Sequence, residues 1–177
     1  MPAVRFVEQL NAQIGNELGA HNQYLAVAVH FDALTMPRMA AFFYGQALEE
    51  RDHAMMMVQY LLDADARVTV PGVAAPQTEF ADIVEPVQLA LDQEKRVSDQ
   101  IAALTAVARE EGDFASEQFT QWFIKEQIEE VSTMSDLLTI VQRCVKDPME
   151  VEQYLARETV GGEGTDPTAP AAAGAGA

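Results

Sequence analysis

Apolar residues recur every three or four positions along four long stretches of the chain, which is the spacing of one buried face of an α-helix. The first stretch ends before Pro37, whose ring cannot continue a helix, and the third ends before Gly112, a residue typical of helix C-termini. A shorter stretch follows Asp147 and Pro148, which suit the N-cap and the first turn of a helix. The pattern predicts four long helices and a short fifth, over about residues 6–34, 38–66, 83–111, 114–145 and 148–158.

The lengths of the connections predict how these helices are arranged. Helices one and two are joined by a short connection, as are helices three and four, so each pair should form an antiparallel hairpin. The middle connection has about 16 residues and could span about 50 Å when extended. A helix of about 28 residues is only about 42 Å long. We therefore predict an all-α four-helix bundle with a long crossover between helices two and three and a short fifth C-terminal helix.

The composition changes near the C-terminus. Residues 159–177 are rich in glycine, alanine and proline, which predicts a disordered low-complexity tail. Residues 1–158 are long enough to form one domain with its own core.

The overall charge and the single cysteine narrow the choice of function. The net charge is −17, which argues against nucleic acid or an anionic membrane as a partner. The acidity fits either attraction of cations or simple solubility. Cys144 is the only cysteine, so no intramolecular disulfide can form. No apolar run is long enough to span a bilayer and no signal peptide is recognisable, which together with the lone cysteine favours a cytoplasmic protein.

Each of the four long helices carries polar side chains on its apolar stripe, close to the middle of its length. These are Glu17 in the first helix, Glu50 and the neighbouring His53 in the second, Glu94 in the third, and Gln127 and Glu130 in the fourth. Buried carboxylates in one layer repel each other, and each costs several kcal/mol unless it is neutralised. Bound cations compensate this charge best. An oxygen-rich ligand set with one imidazole suits iron or manganese, and would also accept zinc.

The two halves of the chain repeat this polar pattern. A shift of 77 residues places Glu17 on Glu94, Glu49 on Glu126, Glu50 on Gln127 and His53 on Glu130. Acidic residues are common in this chain, so some of these matches arise by chance. The repeat nevertheless indicates that the two hairpins are equivalent at their polar positions.

At these residues the chain resembles the ferritin family, and most closely its haem-free bacterial members, over about residues 4–158. The resemblance implies that Glu17, Glu50 and His53 bind a first iron, that Glu94 and Glu130 bind a second with Gln127 nearby, and that Glu49, Glu126 and Glu129 form a third iron site that leads inward. Glu50 would also bridge the first two irons, and Tyr24 would lie beside the centre.

The resemblance also implies a function. Proteins of this family store iron, and their ferroxidase centre oxidises Fe(II) to Fe(III) with O₂ or H₂O₂. The ferric product is kept as an oxide mineral inside a closed shell of about 24 identical subunits. Bacterioferritins repeat Glu-x-x-His in the fourth helix and bind haem through a methionine after the bridging glutamate. This chain has Glu130 and Arg51 at those positions, which implies a protein without haem.

Two other functions fit the same residues. A haem-free di-iron oxidoreductase, such as a peroxidase, would use the same ligands without storing iron. A non-catalytic helical interaction or cargo subunit would not need a metal at all. The role of Tyr24 is also open, because its hydroxyl could bond a metal ligand or its ring could simply fill the core.

Overall fold

Residues 1–158 and 166–175 are described by the computed structural model, and they contain five α-helices and no β-strand. The helices are α1 (Val4–Ala33), α2 (Pro37–Asp63), α3 (Glu85–Glu110), α4 (Phe114–Arg143) and α5 (Met149–Arg157). The predicted fold class is confirmed, and each boundary lies within a few residues of its prediction. The predicted disorder of residues 159–165, 176 and 177 falls outside the described residues.

Residues with positive φ mark the ends of the first three helices. Thr35 has a φ of 60° after α1, and Asp65 has a φ of 51° after α2. The left-handed backbone at Asp65 ends α2 three residues earlier than the apolar spacing predicts. Gly112, with a φ of 68°, follows α3 as expected for a helix C-terminus.

The helices pack as two hairpins, α1 against α2 and α3 against α4, with α1 also touching α3. The crossover between α2 and α3 runs along α1. Gln23 of α1 holds it through two hydrogen bonds of 2.9 Å to the backbone of Gln77. At Gly15 the crossover comes so close that an added Cβ would lie 2.5 Å from the ring of Pro71. Glycine at this position therefore permits the close approach.

The apolar core is divided into two clusters. One contains Tyr24 to Phe31 of α1 with the facing parts of α2, α3 and α4, and the other contains Phe6 to Ile14 with their partners. On every long helix, the polar stripe residues named above fall between the two clusters. The sequence thus builds two apolar halves and leaves a polar layer across the middle of the bundle. Among the described residues, no helix combines the length and apolar composition needed to cross a membrane.

The short helix α5 lies against the start of α2. Glu152 of α5 is 6% exposed, and its carboxylate accepts hydrogen bonds from the backbone N–H groups of Arg38 (2.8 Å) and Met39 (3.0 Å). The residue preceding α2, Met36, makes no side-chain cap of its own. Glu152 therefore satisfies donors that the first turn of α2 would otherwise leave unpaired.

We expect Glu152→Ala to lower the free energy of unfolding by about 1–3 kcal/mol, because two N–H groups in the first turn of α2, one of them buried, lose a charged acceptor. Thermal unfolding measures the loss, and hydrogen exchange should locate it in α5 and the first turn of α2. Glu150→Ala, at an exposed position of the same helix, is the matched control. Equal unfolding of Glu152→Ala and the wild type would contradict the capping role.

Candidate metal centre

Three ligand-type side chains meet in the polar layer. Glu17 of α1 and Glu50 and His53 of α2 each offer one atom within 4.8 Å of the other two. Glu50 and His53 share one helix face because they are three residues apart. All three side chains are buried, with exposures of 1% for Glu17 and 2% for Glu50 and His53.

Several carboxylate oxygens in this layer lack a hydrogen-bond partner. Glu17, Glu50 and Glu94 each have a buried Oε2 atom for which the described part of the chain supplies no donor. Burying a carboxylate oxygen without a hydrogen bond costs free energy. Such oxygens are therefore rare unless a water molecule or a cation contacts them. Oxygen atoms of this kind beside one imidazole fit a hard or borderline cation such as iron.

Tyr24 bonds to a candidate ligand and also fills the core. Its hydroxyl donates a hydrogen bond to Oε1 of Glu94, and its ring packs against Phe43 at 5.8 Å between centroids. Burial, and then the charges of Glu94 and Glu50, raise the pKa of the Tyr24 phenol well above its usual value. The phenol therefore keeps its proton and remains a donor to Glu94.

Electrostatic repulsion in the layer is strong. Burial raises the pKa of Glu50 well above its usual value, and the charges of Glu94 and Glu17 raise it further. Burial likewise raises the pKa of Glu130, with added contributions from Glu49 and Glu94. For Glu94, burial raises the pKa while the hydrogen bond from Tyr24 partly lowers it. A bound cation would relieve this repulsion and favour the ionised forms.

The fourth helix completes the layer from the other side. Gln127 is 5% exposed, and its Oε1 atom accepts a hydrogen bond of 3.0 Å from the Ser98 hydroxyl. Glu130 is buried, and it is close enough to Glu50 and Glu94 to raise the pKa of Glu50 and to be affected by Glu94. Glu94 and Glu130 lie beside the Glu17–Glu50–His53 group and are not part of it at the 4.8 Å distance.

A second group of possible ligands adjoins the first. Glu49, His53 and Glu126 also offer atoms within 4.8 Å of one another, so His53 belongs to both groups. Glu49 is oriented by a hydrogen bond of 2.7 Å from Gln46. Burial raises the pKa of Glu126, whereas His53 lowers it. Glu129 is not brought into this group, since its side chain is 58% exposed and lies 3.9 Å from Lys125.

A cavity of about 620 Å³ lies between α2 and α4 next to this second group. Its walls include Glu49, His53, Glu126 and Glu130. The cavity therefore connects the buried layer with the surface on the α2–α4 side of the bundle.

Comparison with known proteins identifies the fold family. Residues 7–144 match the family model of the ferritin-like domain. The chain belongs to the ferritin family.

Individual relatives agree with this assignment. The chain is 49% identical over 174 residues to ferritin BfrB of Mycobacterium tuberculosis strain Erdman, covering 98% of this chain and 92% of that protein. A protein of strain H37Rv with the same identity and coverage carries the name bacterioferritin BfrB. The chain is also 32% identical over 154 residues to the bacterial non-heme ferritin of Staphylococcus aureus, covering 87% of this chain and 93% of the relative.

Solved ferritin structures share the fold. An open pore ferritin from the archaeon Archaeoglobus fulgidus superposes with a TM-score of 0.85 at 27% identity, covering 89% of this chain and 99% of that one. A humanized archaeal ferritin superposes with a TM-score of 0.85 at 25% identity, covering 89% of this chain and 96% of that one.

Part of the C-terminal tail of this ferritin-family chain lies on the cavity face. Asp166 accepts hydrogen bonds from the indole of Trp122 (3.1 Å) and from Lys125 (3.3 Å), and Ala173 donates to the Met55 carbonyl (3.0 Å). Residues 166–175, which belong to the segment predicted to be a disordered low-complexity tail, therefore contact the bundle at these points. A low-complexity composition indicates that a segment lacks a core-forming pattern. It does not indicate whether a single residue such as Asp166 bonds to the bundle.

Three supporting residues were missed at the sequence level. Gln13 donates to Glu17, Gln46 donates to Glu49, and Ser98 donates to Gln127. For the first two the signal was present, since Gln13 and Gln46 lie four and three residues before the carboxylate that they contact. Ser98 lies one turn after Glu94 on α3, and no spacing rule links it to Gln127 on α4.

Proposed function

We propose that this protein stores iron and oxidises Fe(II) at a di-iron centre built around Glu17, Glu50 and His53, with Glu94, Gln127 and Glu130 beside them. The observation that carries the proposal is the set of three buried, unpartnered carboxylate oxygens in a layer that also holds an imidazole. The relatives named ferritin and the matching family model support storage as the wider function.

Fe(II) is the substrate in this proposal, and the ligands favour its oxidation. Glu17, Glu50 and His53 would hold one Fe(II), while Glu94 and Glu130 would hold a second with Gln127 alongside. Carboxylates stabilise Fe(III) more than Fe(II), because their negative charge offsets the larger charge of the metal. Two Fe(II) ions supply two electrons, which with two protons convert O₂ to H₂O₂ or H₂O₂ to water.

The ferric product needs a way out of the centre. Glu49 and Glu126 share His53 with the first group and line the cavity between α2 and α4. We propose that they form a third iron site on this route, with Glu129 as an outer, solvent-exposed ligand. The route would deliver iron to the interior of a shell of about 24 copies of the chain, the closed symmetric assembly expected of ferritins.

We propose that the protein works without haem. Arg51, which follows the proposed bridging ligand Glu50, is exposed and pairs with Asp52 at 2.7 Å. A guanidinium group has no lone pair to offer a haem iron, whereas a methionine thioether has one.

A redox-inert metal tests whether oxidation takes place at this centre. We expect Zn²⁺ added at about two equivalents per chain to slow the initial oxidation of Fe(II) at least about tenfold, because it competes for the same carboxylates and imidazole. Stopped-flow measurement of ferric absorbance gives the rate, with Mg²⁺ as the control cation because it prefers oxygen-only octahedral sites. Oxidation at an unchanged rate in saturating Zn²⁺ would place the reaction elsewhere.

A further inference from the structure

Gln13 contacts the candidate ligand Glu17 directly and is itself almost fully buried. It lies one turn before Glu17 on α1 and is 2% exposed. Its Nε2 atom donates to Oε1 of Glu17 at 2.8 Å and to Oε1 of Gln100 at 3.1 Å, and its Oε1 atom accepts from Asn16 at 2.9 Å. A buried amide with three side-chain partners is held in one orientation.

The partners of Gln13 fix which end of its amide faces Glu17. If the amide were flipped, its oxygen would face the carboxylate of Glu17 and the oxygen of Gln100, and its NH₂ group would face the NH₂ group of Asn16. All three contacts would then be repulsive. The carboxylate of Glu17, which can only accept, thus sets which end of the Gln13 amide faces it, and Asn16 and Gln100 hold the amide in place through its other two hydrogen bonds.

The two carboxylate oxygens of Glu17 have different surroundings. Oε1 accepts from Gln13, whereas the buried Oε2 has no donor in the described part of the chain. The donor is neutral, and none of the ion pairs among the described residues joins Glu17 to a lysine or arginine. The hydrogen bond therefore fixes one oxygen of Glu17 in place and leaves the other free to face a cation.

Gln13 also joins the two hairpins at the level of the centre. Gln13 belongs to α1 and Gln100 to α3, and these helices come from different hairpins. The bond between them ties the orientation of Glu17 to the third helix, which supplies Glu94. Movement of one hairpin against the other would thus disturb ligands on both.

We infer that Gln13 is a positioning residue for the metal centre: it fixes the carboxylate of Glu17 so that Oε2 faces the metal, and Asn16 and Gln100 fix Gln13 in turn. This inference rests on the proposed metal binding by Glu17. Partners that orient a metal ligand commonly change metal affinity 10- to 100-fold, which is the scale of effect expected here.

Methionine substitution isolates the hydrogen bond from the shape of the side chain. Gln13→Met keeps a similar length and removes the amide, and Gln23→Met makes the same change at another buried position of α1 that holds the crossover and touches no candidate ligand. Titration calorimetry with Zn²⁺ on the assembled protein measures affinity without oxidation. The visible spectrum of bound Co²⁺ reports the geometry of the ligands.

We expect Gln13→Met to weaken Zn²⁺ binding at least about tenfold and to alter the Co²⁺ spectrum, while Gln23→Met leaves both unchanged. Asn16→Ala, at an exposed position where folding is not at stake, should weaken binding in the same direction by a smaller factor. If Gln13→Met does not assemble, Asn16→Ala becomes the deciding variant. The inference is overturned if Gln13→Met binds Zn²⁺ with wild-type affinity and shows the wild-type Co²⁺ spectrum. The same result in Asn16→Ala overturns it when that variant is the deciding one. An equal loss of Zn²⁺ affinity in Gln23→Met also overturns it.

A different set of results is expected if the proposed metal centre itself is wrong. In that case Glu17→Ala binds Zn²⁺ as the wild type does, and Gln13 has no metal ligand to position. If Glu17→Ala loses binding while Gln13→Met retains it, the metal centre stands and only the positioning role is rejected.

Discussion

Glu50→Gln is expected to lose most Fe(II) oxidation and, in the metal-free protein at neutral pH, to unfold at a higher temperature. Activity should fall because the amide removes the charge of the proposed bridging ligand. Residues that only orient a metal ligand change activity at least about tenfold, so loss of a direct ligand should lower the oxidation rate by at least that factor. Stability should rise because the wild-type carboxylate is buried beside Glu17 and Glu94, which disfavours its ionised form. A neutral amide removes the cost of that burial, which amounts to at most about 1.4 kcal/mol for each pH unit above 4.5.

Opposite changes in activity and stability distinguish a functional carboxylate from a structural one. Initial oxidation rates and thermal unfolding of the metal-free assembly give the two readouts. Glu8→Gln makes the same change at an exposed position of α1 and should alter neither. If Glu50→Gln oxidised Fe(II) at the wild-type rate, or lowered the metal-free unfolding temperature, Glu50 would be a structural residue and the proposed centre would be wrong.

The second large effect is a loss of stability of the metal-free protein as pH rises. Glu50, Glu94 and Glu130 have pKa values raised by burial above the ordinary value of 4.5. Between that value and the raised ones, the folded state binds more protons than the unfolded state does. The free energy of unfolding therefore falls with rising pH, by about 1.4 kcal/mol per pH unit for each proton retained. The stabilising contribution is fully present below pH 4.5 and is lost as pH rises through the raised pKa values.

Bound metal should oppose this dependence, because a cation replaces the retained protons and binds more tightly as pH rises. Thermal unfolding of the metal-free protein from about pH 5 to about pH 8, with and without Zn²⁺, measures both slopes. Glu50→Gln serves as the control, since its metal-free curve should approach that of the wild type at low pH and separate from it as pH rises. Parallel curves for the two proteins would show that Glu50 titrates normally.

The helices and the polar layer could be predicted from the sequence because both depend on local spacing. A carboxylate at a stripe position, such as Glu17 or Glu94, must be buried once the helix packs by its apolar face. The division of the core follows from the same spacing, since every stripe is apolar on both sides of its polar residues. The long crossover was predictable because its length could be compared with that of the helices.

The contacts around the layer could not be predicted, because they depend on how far each side chain is rotated from the stripe. Glu126 and Glu129 are three residues apart on one helix, yet Glu126 joins a ligand group while Glu129 is exposed. The cap that Glu152 provides for α2 joins residues more than a hundred positions apart. Such contacts depend on how the helices pack against each other, and this packing cannot be derived from a single sequence.

The iron content of the assembled protein tests the storage proposal most directly. Native mass spectrometry gives the number of chains per particle, and iron analysis after stepwise aerobic addition of Fe(II) gives the number of irons per chain. Storage predicts a particle of about 24 chains that takes up far more iron than its ligand sites can hold. A monomer, or saturation at about two irons per chain as in a di-iron oxidoreductase, would contradict it.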